Sequence, residues 1–226
     1  PLPRAKDSDS PDEPRPLCFE VPGFGVCVYP HEFAVFSGDI AQLEVHDARE
    51  DPEDLQRRLA AGFSLVLTGP YRFVDAVYRY CQHFEERLVP ASMVAHLASR
   101  WERQAALTQH RRRLLHHLLV VGRGDSLVGV DDPPDATDLQ DWLQAPTGDR
   151  LFLMPVRRFQ RLLTDLRRAH EGLAIDALGA TITILPHVYV PSDQSVPAMF
   201  TEYASLLKDR CFLDMGTGTG ILALLA

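Results

Sequence analysis

Residues 211–226 read "CFLDMGTGTGILALLA". "CFL" is a short apolar strand with Asp214 at its carboxyl end. Gly216, Gly218 and Gly220 alternate with Thr217 and Thr219, and "ILALLA" starts a helix. In an open α/β sheet, ligands bind beyond the carboxyl ends of the strands. Glycines suit that place because the turn is tight and the backbone must come close to the ligand. The helix behind adds free N–H groups and a partial positive charge.

Spacing separates two ligands. A dinucleotide fingerprint reads G-x-G-x-x-G, the third glycine packing the helix against the strand. Here the order is D-x-G-x-G-x-G, with an acid two residues before the first glycine. A carboxylate that close repels a pyrophosphate, whereas it suits a zwitterionic or cationic ligand. S-adenosylmethionine is such a ligand, with a sulfonium, an ammonium, a carboxylate and no phosphate. A generic glycine-rich turn is the bland alternative, and the acid, strand and helix in register speak against it.

On these residues "FLDMGTGTGILALLA" resembles motif I of the class I S-adenosylmethionine-dependent methyltransferases. The lead-in "HVYVPSDQSVPAMFTEYASLLKDR" (187–210) is similar to what precedes that motif in members with an N-terminal substrate domain. Release-factor glutamine methyltransferases and small-domain RNA methyltransferases are the nearest kin suggested. The resemblance implies that Gly216, Gly218 and the backbone of Thr217 line the methionine part of the cofactor. It implies that Asp214 fixes that moiety through hydrogen bonds and that Gly220 permits close helix packing. In the family, an acid for the ribose hydroxyls and a (D/N)-P-P-(Y/F) element come later than this loop, and the residues up to 226 stop before both, so the methyltransferase sheet is expected to be incomplete here and the catalytic residues stay unassigned. Asp132-Pro133-Pro134 is followed by Asp135 rather than an aromatic, and reads as a proline-rich turn.

Working outward, residues 1–16 are proline-rich and charged and read as a flexible tail. "LCFEVPGFGVCVYP" (17–30) has the alternation of a hairpin around Gly23 and Gly25, and 31–47 continues in short β-like pieces. "DPEDLQRRLAAG" (51–62) reads as a helix with proline and acids in its first turn and Gly62 at its end. "SLVLTGP" (64–70) reads as a buried strand. Helices are expected over about 71–88 and 91–119, broken by Pro90, with Val94, Leu97, Trp101 and Ala105 facing the core. Strands are expected at 126–130 and 150–155, around an acidic turn with a short helix at 131–149. A helix over 156–170 carries the apolar stripe Val156, Phe159, Leu163 and Leu166. Residues 172–191 read as short strands turning at Gly179 and Pro186. A helix over 192–209 follows, capped by Ser192 or Asp193, with Met199, Phe200, Tyr203 and Leu206 inward.

The expected organisation is thus a tail (1–16), an α+β recognition domain with linker strands (17–191), and the first β–loop–α of a Rossmann-like methyltransferase domain (192–226), an α/β chain overall. The net charge of −8 argues against general capture of nucleic acid but not against a local basic patch. "HRRRLLHH" (110–117) and the stripe Arg157, Arg161 and Arg168 could touch RNA phosphates, with a solvated face as the favoured reading. Cys81, His83, His116 and His117 lack further ligands at zinc spacing, and the acids of 131–141 lack a calcium-loop pattern, so no metal is expected. "GFSLVLTG" lacks the second glycine of a nucleophile elbow. No apolar run reaches membrane length, and scattered cysteines without a C-x-x-C pair suit a reduced, cytoplasmic setting. The cofactor expected is S-adenosylmethionine and the acceptor a protein, RNA or small molecule, with self-association through the incomplete sheet. Two alternatives remain: a non-catalytic binding module completed by a partner chain, and a nicotinamide-dependent oxidoreductase.

Overall fold

The computed structural model describes residues 17–30, 33, 40, 42–83, 95, 99–136, 139, 143, 147–184, 188, 195–203, 206 and 218–225. The chain is mixed α/β and divides into two compact units, residues 1–133 with 143–158 and residues 134–142 with 159–226. The boundary anticipated at 191/192 falls inside the second unit.

The first unit is built on a mixed sheet. Strands β1 (Leu17–Val21) and β2 (Gly25–Tyr29) form the expected antiparallel hairpin, with Val21 opposite Gly25. Next come β3 (Leu43–His46), helix α1 (Pro52–Ala60), β4 (Ser64–Leu67), the two-residue β5 (Gly69–Pro70) and helix α2 (Tyr71–Gln82). Helix α3 (Arg100–His116) leads to β6 (Leu118–Arg123), β7 (Ser126–Val128), β8 (Val130–Asp131) and β9 (Phe152–Pro155). The strand order is β1-β2-β9-β6-β4-β3, with β7 also pairing β6 to make seven strands. Strands β3, β4 and β6 are mutually parallel, while β9 runs antiparallel to β6 and parallel to β2.

Each element has a local cause. Asp51 caps α1, its carboxylate accepting from the Glu53 N–H at 2.9 Å, and Pro52 stands in the first turn, where its missing N–H costs nothing. Along α2, Val74, Val77, Tyr78 and Cys81 recur at helical spacing and are all buried. Gln56 of α1, itself buried, donates to the Tyr80 carbonyl of α2 at 3.4 Å. Strands β4 and β9 are buried throughout and β6 up to Gly122, and apart from Ser64 their buried residues are apolar. Burial of a whole Leu or Val side chain contributes about 1.5–3 kcal/mol, so these three strands dominate the first unit's core.

Two expectations in this unit need correction. Helix α3 begins at Ser99, which accepts from the Glu102 N–H at 3.1 Å while the Glu102 carboxylate accepts from the Ser99 N–H at 3.0 Å. Trp101 and Ala105 do not face the core. Trp101 is 84% exposed and Ala105 is exposed, because only the last turn of α3, at Leu114 and Leu115, is buried. Val94 and Leu97 lie outside the described residues.

Helix α4 (Val156–Glu171) follows β9 directly and continues into the second unit. Val156, Phe159, Leu162 and Leu166 are its buried residues, with Leu163 only half-buried. The 3.6-residue turn puts 159, 162 and 166 nearest the face centre and 163 at the rim, which corrects the expected stripe. The second unit also contains the hairpin β10 (Leu173–Ile175) and β11 (Ala180–Ile182), a 3-10 turn (Asp176–Leu178), helix α5 (Ser195–Tyr203) and helix α6 (Ile221–Leu225). Helix α5 contacts the 3-10 turn and α6. Its expected inward residues point the other way, Met199 at 57%, Tyr203 at 56% and the following Leu206 at 71% exposed, with Phe200 half-buried. Helical spacing had defined a face correctly but not which side met protein; Pro197 is the buried residue. The tail, Ser192, Asp193 and the strand expected at 211–213 lie outside the described residues. Among the described residues, no helix is long and apolar enough to cross a membrane.

The tightest joint is between β6 and β9. Gly122 stands opposite Phe152, and a Cβ at residue 122 would enter the ring, only 2.7 and 2.8 Å from its two Cε atoms. Gly122→Ala is therefore expected to lower the unfolding free energy by about 1–3 kcal/mol, as overpacking does. Urea titration checks this, and an unchanged midpoint would show that the ring moves aside freely.

Candidate functional site

The glycine loop lies in the second unit. Asp214, Gly216 and Thr217 are outside the described residues, so the loop is visible from Gly218 onward. Gly218 has φ +51° and Gly220 φ +72°, the left-handed conformation that glycine adopts without steric cost. Gly220 opens α6, its carbonyl accepting from the Leu224 N–H at 3.0 Å, and Ile221 is buried while Gly218 is exposed. Among the described residues no atom lies within 4 Å of the place a Cβ would take at Gly220. Glycine at that position suits the backbone conformation, and the strand at 211–213 on which the resemblance would pack the helix lies outside the described residues.

The first unit holds a charged cluster that sequence reading missed. At the carboxyl end of β3, His46 is buried with its Nδ1 2.6 Å from Glu50 Oε1 and its Nε2 3.2 Å from Glu44 Oε2. Arg58 Nη1 donates to the same Glu44 oxygen at 2.6 Å. A cleft of about 700 Å³ beside it is lined by Arg49, Glu50, Asp51, Asp54, Arg57, Arg58 and Phe63. Three guanidinium groups there face three carboxylates, so their charges cancel and leave little net field to draw in an ion. Both imidazole nitrogens are already held, which makes His46 a clamp between β3, the following loop and α1 rather than a base open to substrate. The one available signal was that Glu44 and His46, two apart on a strand, share a side of the sheet.

Other candidates resolve into structure. Ser64 is completely buried, its Oγ 2.9 Å from the Nδ1 of buried His117, so this serine–histidine pair ties the start of β4 to the end of α3 with no access for substrate. Asp132 is exposed at φ +50°, as befits a turn residue, in line with the turn reading of Asp132-Pro133-Pro134. Burial pushes the Cys81 thiol up to about 12 and raises Cys27 as well, so neither is poised as a thiolate. Among the described residues, no group of three or more His, Cys, Asp or Glu side chains is arranged to hold a metal ion.

The basic run at 110–117 is more informative. His110 is lowered from its ordinary value by burial and by the charge of Arg113. His116 is lowered further, to about 4, by burial and then by the charges of Arg157 and His117. Positive groups from the end of α3 and the first turn of α4 thus reinforce one another within the first unit. The chain matches no family model, no curated protein and no solved structure.

The His116 shift sets a pH dependence. The unfolded chain binds a proton near pH 6.5 that the folded chain refuses until about pH 4. Stability from the neutral imidazole is complete above pH 6.5 and is lost as the pH falls through that window. His116→Gln is expected to flatten the decline of the urea midpoint between pH 6.5 and 4, and an unaltered slope would remove His116 from the account.

Proposed function

We propose that residues 211–225 form the cofactor loop of an S-adenosylmethionine-dependent methyltransferase, within a Rossmann-like domain that begins near residue 192. The observation that carries the reading is the D-x-G-x-G-x-G order of residues 214–220, together with left-handed backbone at both Gly218 and Gly220. A loop of this kind offers backbone rather than side chain to a ligand, and the absence of any atom within 4 Å of a Cβ at Gly220 among the described residues is compatible with that use.

In this reading Asp214 holds the cationic methionine end, as an acid beside a positive charge should. Gly216, Thr217 through its backbone, and Gly218 form the wall along which that end lies. When bound, the cofactor would supply an activated methyl group for a nucleophile of the acceptor. The protein's part is alignment of the two groups and exclusion of water. The acceptor is a protein, an RNA or a small molecule.

Calorimetry tests the reading on the polypeptide as its source cell produces it. S-adenosylmethionine is expected to bind at micromolar levels or tighter, Asp214→Ala to weaken it about tenfold, in line with a lost charge-assisted contact, and NAD to give no heat. Tight NAD binding, or a cofactor affinity indifferent to Asp214, would defeat the proposal.

A further inference from the structure

Helix α3 departs from α1 in its charge composition, for in α1 Glu53 and Asp54 balance Arg57 and Arg58. From Arg103 to Gly124 the chain has neither Asp nor Glu, although it carries 31 acids among 226 residues. Helix α3 holds five arginines against the single Glu102. Its apolar residues are not gathered on one face, and its first turns do not pack on the sheet. The indole of Trp101 therefore stands in solvent on an arginine-rich helix.

Helical geometry places these groups. Trp101, Ala105 and Arg112 fall along one side of α3, and all three are exposed. Trp101 and Arg112 are eleven residues apart, about 16 Å along the axis, a span of two to three nucleotides of extended strand. Exposed Gln104 and Gln109 flank this ridge with neutral amides. Arg113 and Arg157, whose charges act on His110 and His116, add further positive charge near that end of the helix.

We propose that the exposed side of α3 is a docking surface for single-stranded RNA. Arg112 would meet phosphate, Trp101 would stack on an unpaired base, and Gln104 and Gln109 would bond 2′-hydroxyls. Charge complementarity favours a polyanion, since an acidic chain has kept this helix free of acids beyond Glu102. The solvent-facing indole favours unpaired bases, because only a splayed base offers its flat face for stacking. An acidic protein segment would satisfy the arginines but gives Trp101 nothing to stack on. The inference stands apart from the cofactor reading and does not need it.

The test uses the whole polypeptide with every tryptophan but Trp101, Trp142 among them, replaced by phenylalanine, so that fluorescence reports Trp101 alone. A 12-nucleotide oligouridylate is titrated at several salt concentrations. Quenching that saturates and weakens with salt is expected. Trp101→Ala, followed by fluorescence of a labelled oligonucleotide, should weaken binding about tenfold. Arg112→Gln should reduce the slope of log K against log salt by about 0.7, with Arg112→Lys restoring it. Absence of quenching, a slope indifferent to Arg112, or equal affinity for the deoxy oligonucleotide, for heparin or for anionic vesicles would each overturn the proposal.

Discussion

Phe152 and Gly122 set the terms for the rest of the first unit. The ring occupies the space that any side chain at residue 122 would need, so β9 meets β6 in one register. Sliding by one residue would set Val121 or Arg123 against the ring and turn every neighbouring side chain to the opposite face. Strand β6 in turn pairs with β4, β7 and β9, and β4 with β3. The position of His46 at the end of β3, and with it the clamp to Glu50, Glu44 and Arg58, is fixed by this chain of pairings. The joint between a glycine and an aromatic ring thus reaches the far edge of the sheet through the backbone hydrogen bonds of the strand pairs.

Charge is sorted along the fold rather than spread evenly. Around α1, arginines and carboxylates alternate and neutralise one another within a turn, giving contacts that exposed pairs make worth only a few tenths of a kcal/mol each. The end of α3 is rich in arginine, and the imidazoles of His110 and His116 are depressed there by burial first and by neighbouring positive charge second. The chain is acidic as a whole, yet this helix presents the opposite sign. The glycine loop belongs to the second unit and is defined by backbone shape, so the two features draw on different physical resources.

Local signals were legible where the cause was local. The hairpin at 17–29, the capped start of α1 and the apolar stripe of α2 could all be read from residues within a turn or two of one another. The box that starts α3 was also present in the sequence, as Ser99 and Glu102, although Pro90 drew the expected boundary earlier. What spacing could not supply was the partner. Trp101 and Ala105, like Met199 and Tyr203, lie on faces that a helical period defines correctly, while the surface that meets each face is decided by distant segments. The parallel alignment of β3, β4 and β6 is equally non-local, since each contact closes across a helical crossover. In the loop, glycine at 218 and 220 permits the positive φ found there. The His46 cluster was not legible locally, because it closes only when Arg58 returns from fourteen residues beyond Glu44.

The distribution of thiols has a practical side. Cys27 and Cys81 are sealed in the core and held as neutral thiols, whereas Cys18 is exposed on β1, the outermost strand of the hairpin. Among these three, an electrophilic dye or spin label added to the native chain would find Cys18 first, with no engineering of the sequence. The two buried sulfurs would react only when the sheet opens. Their alkylation in time would then count opening events one molecule at a time, giving the first unit a clock for its own unfolding.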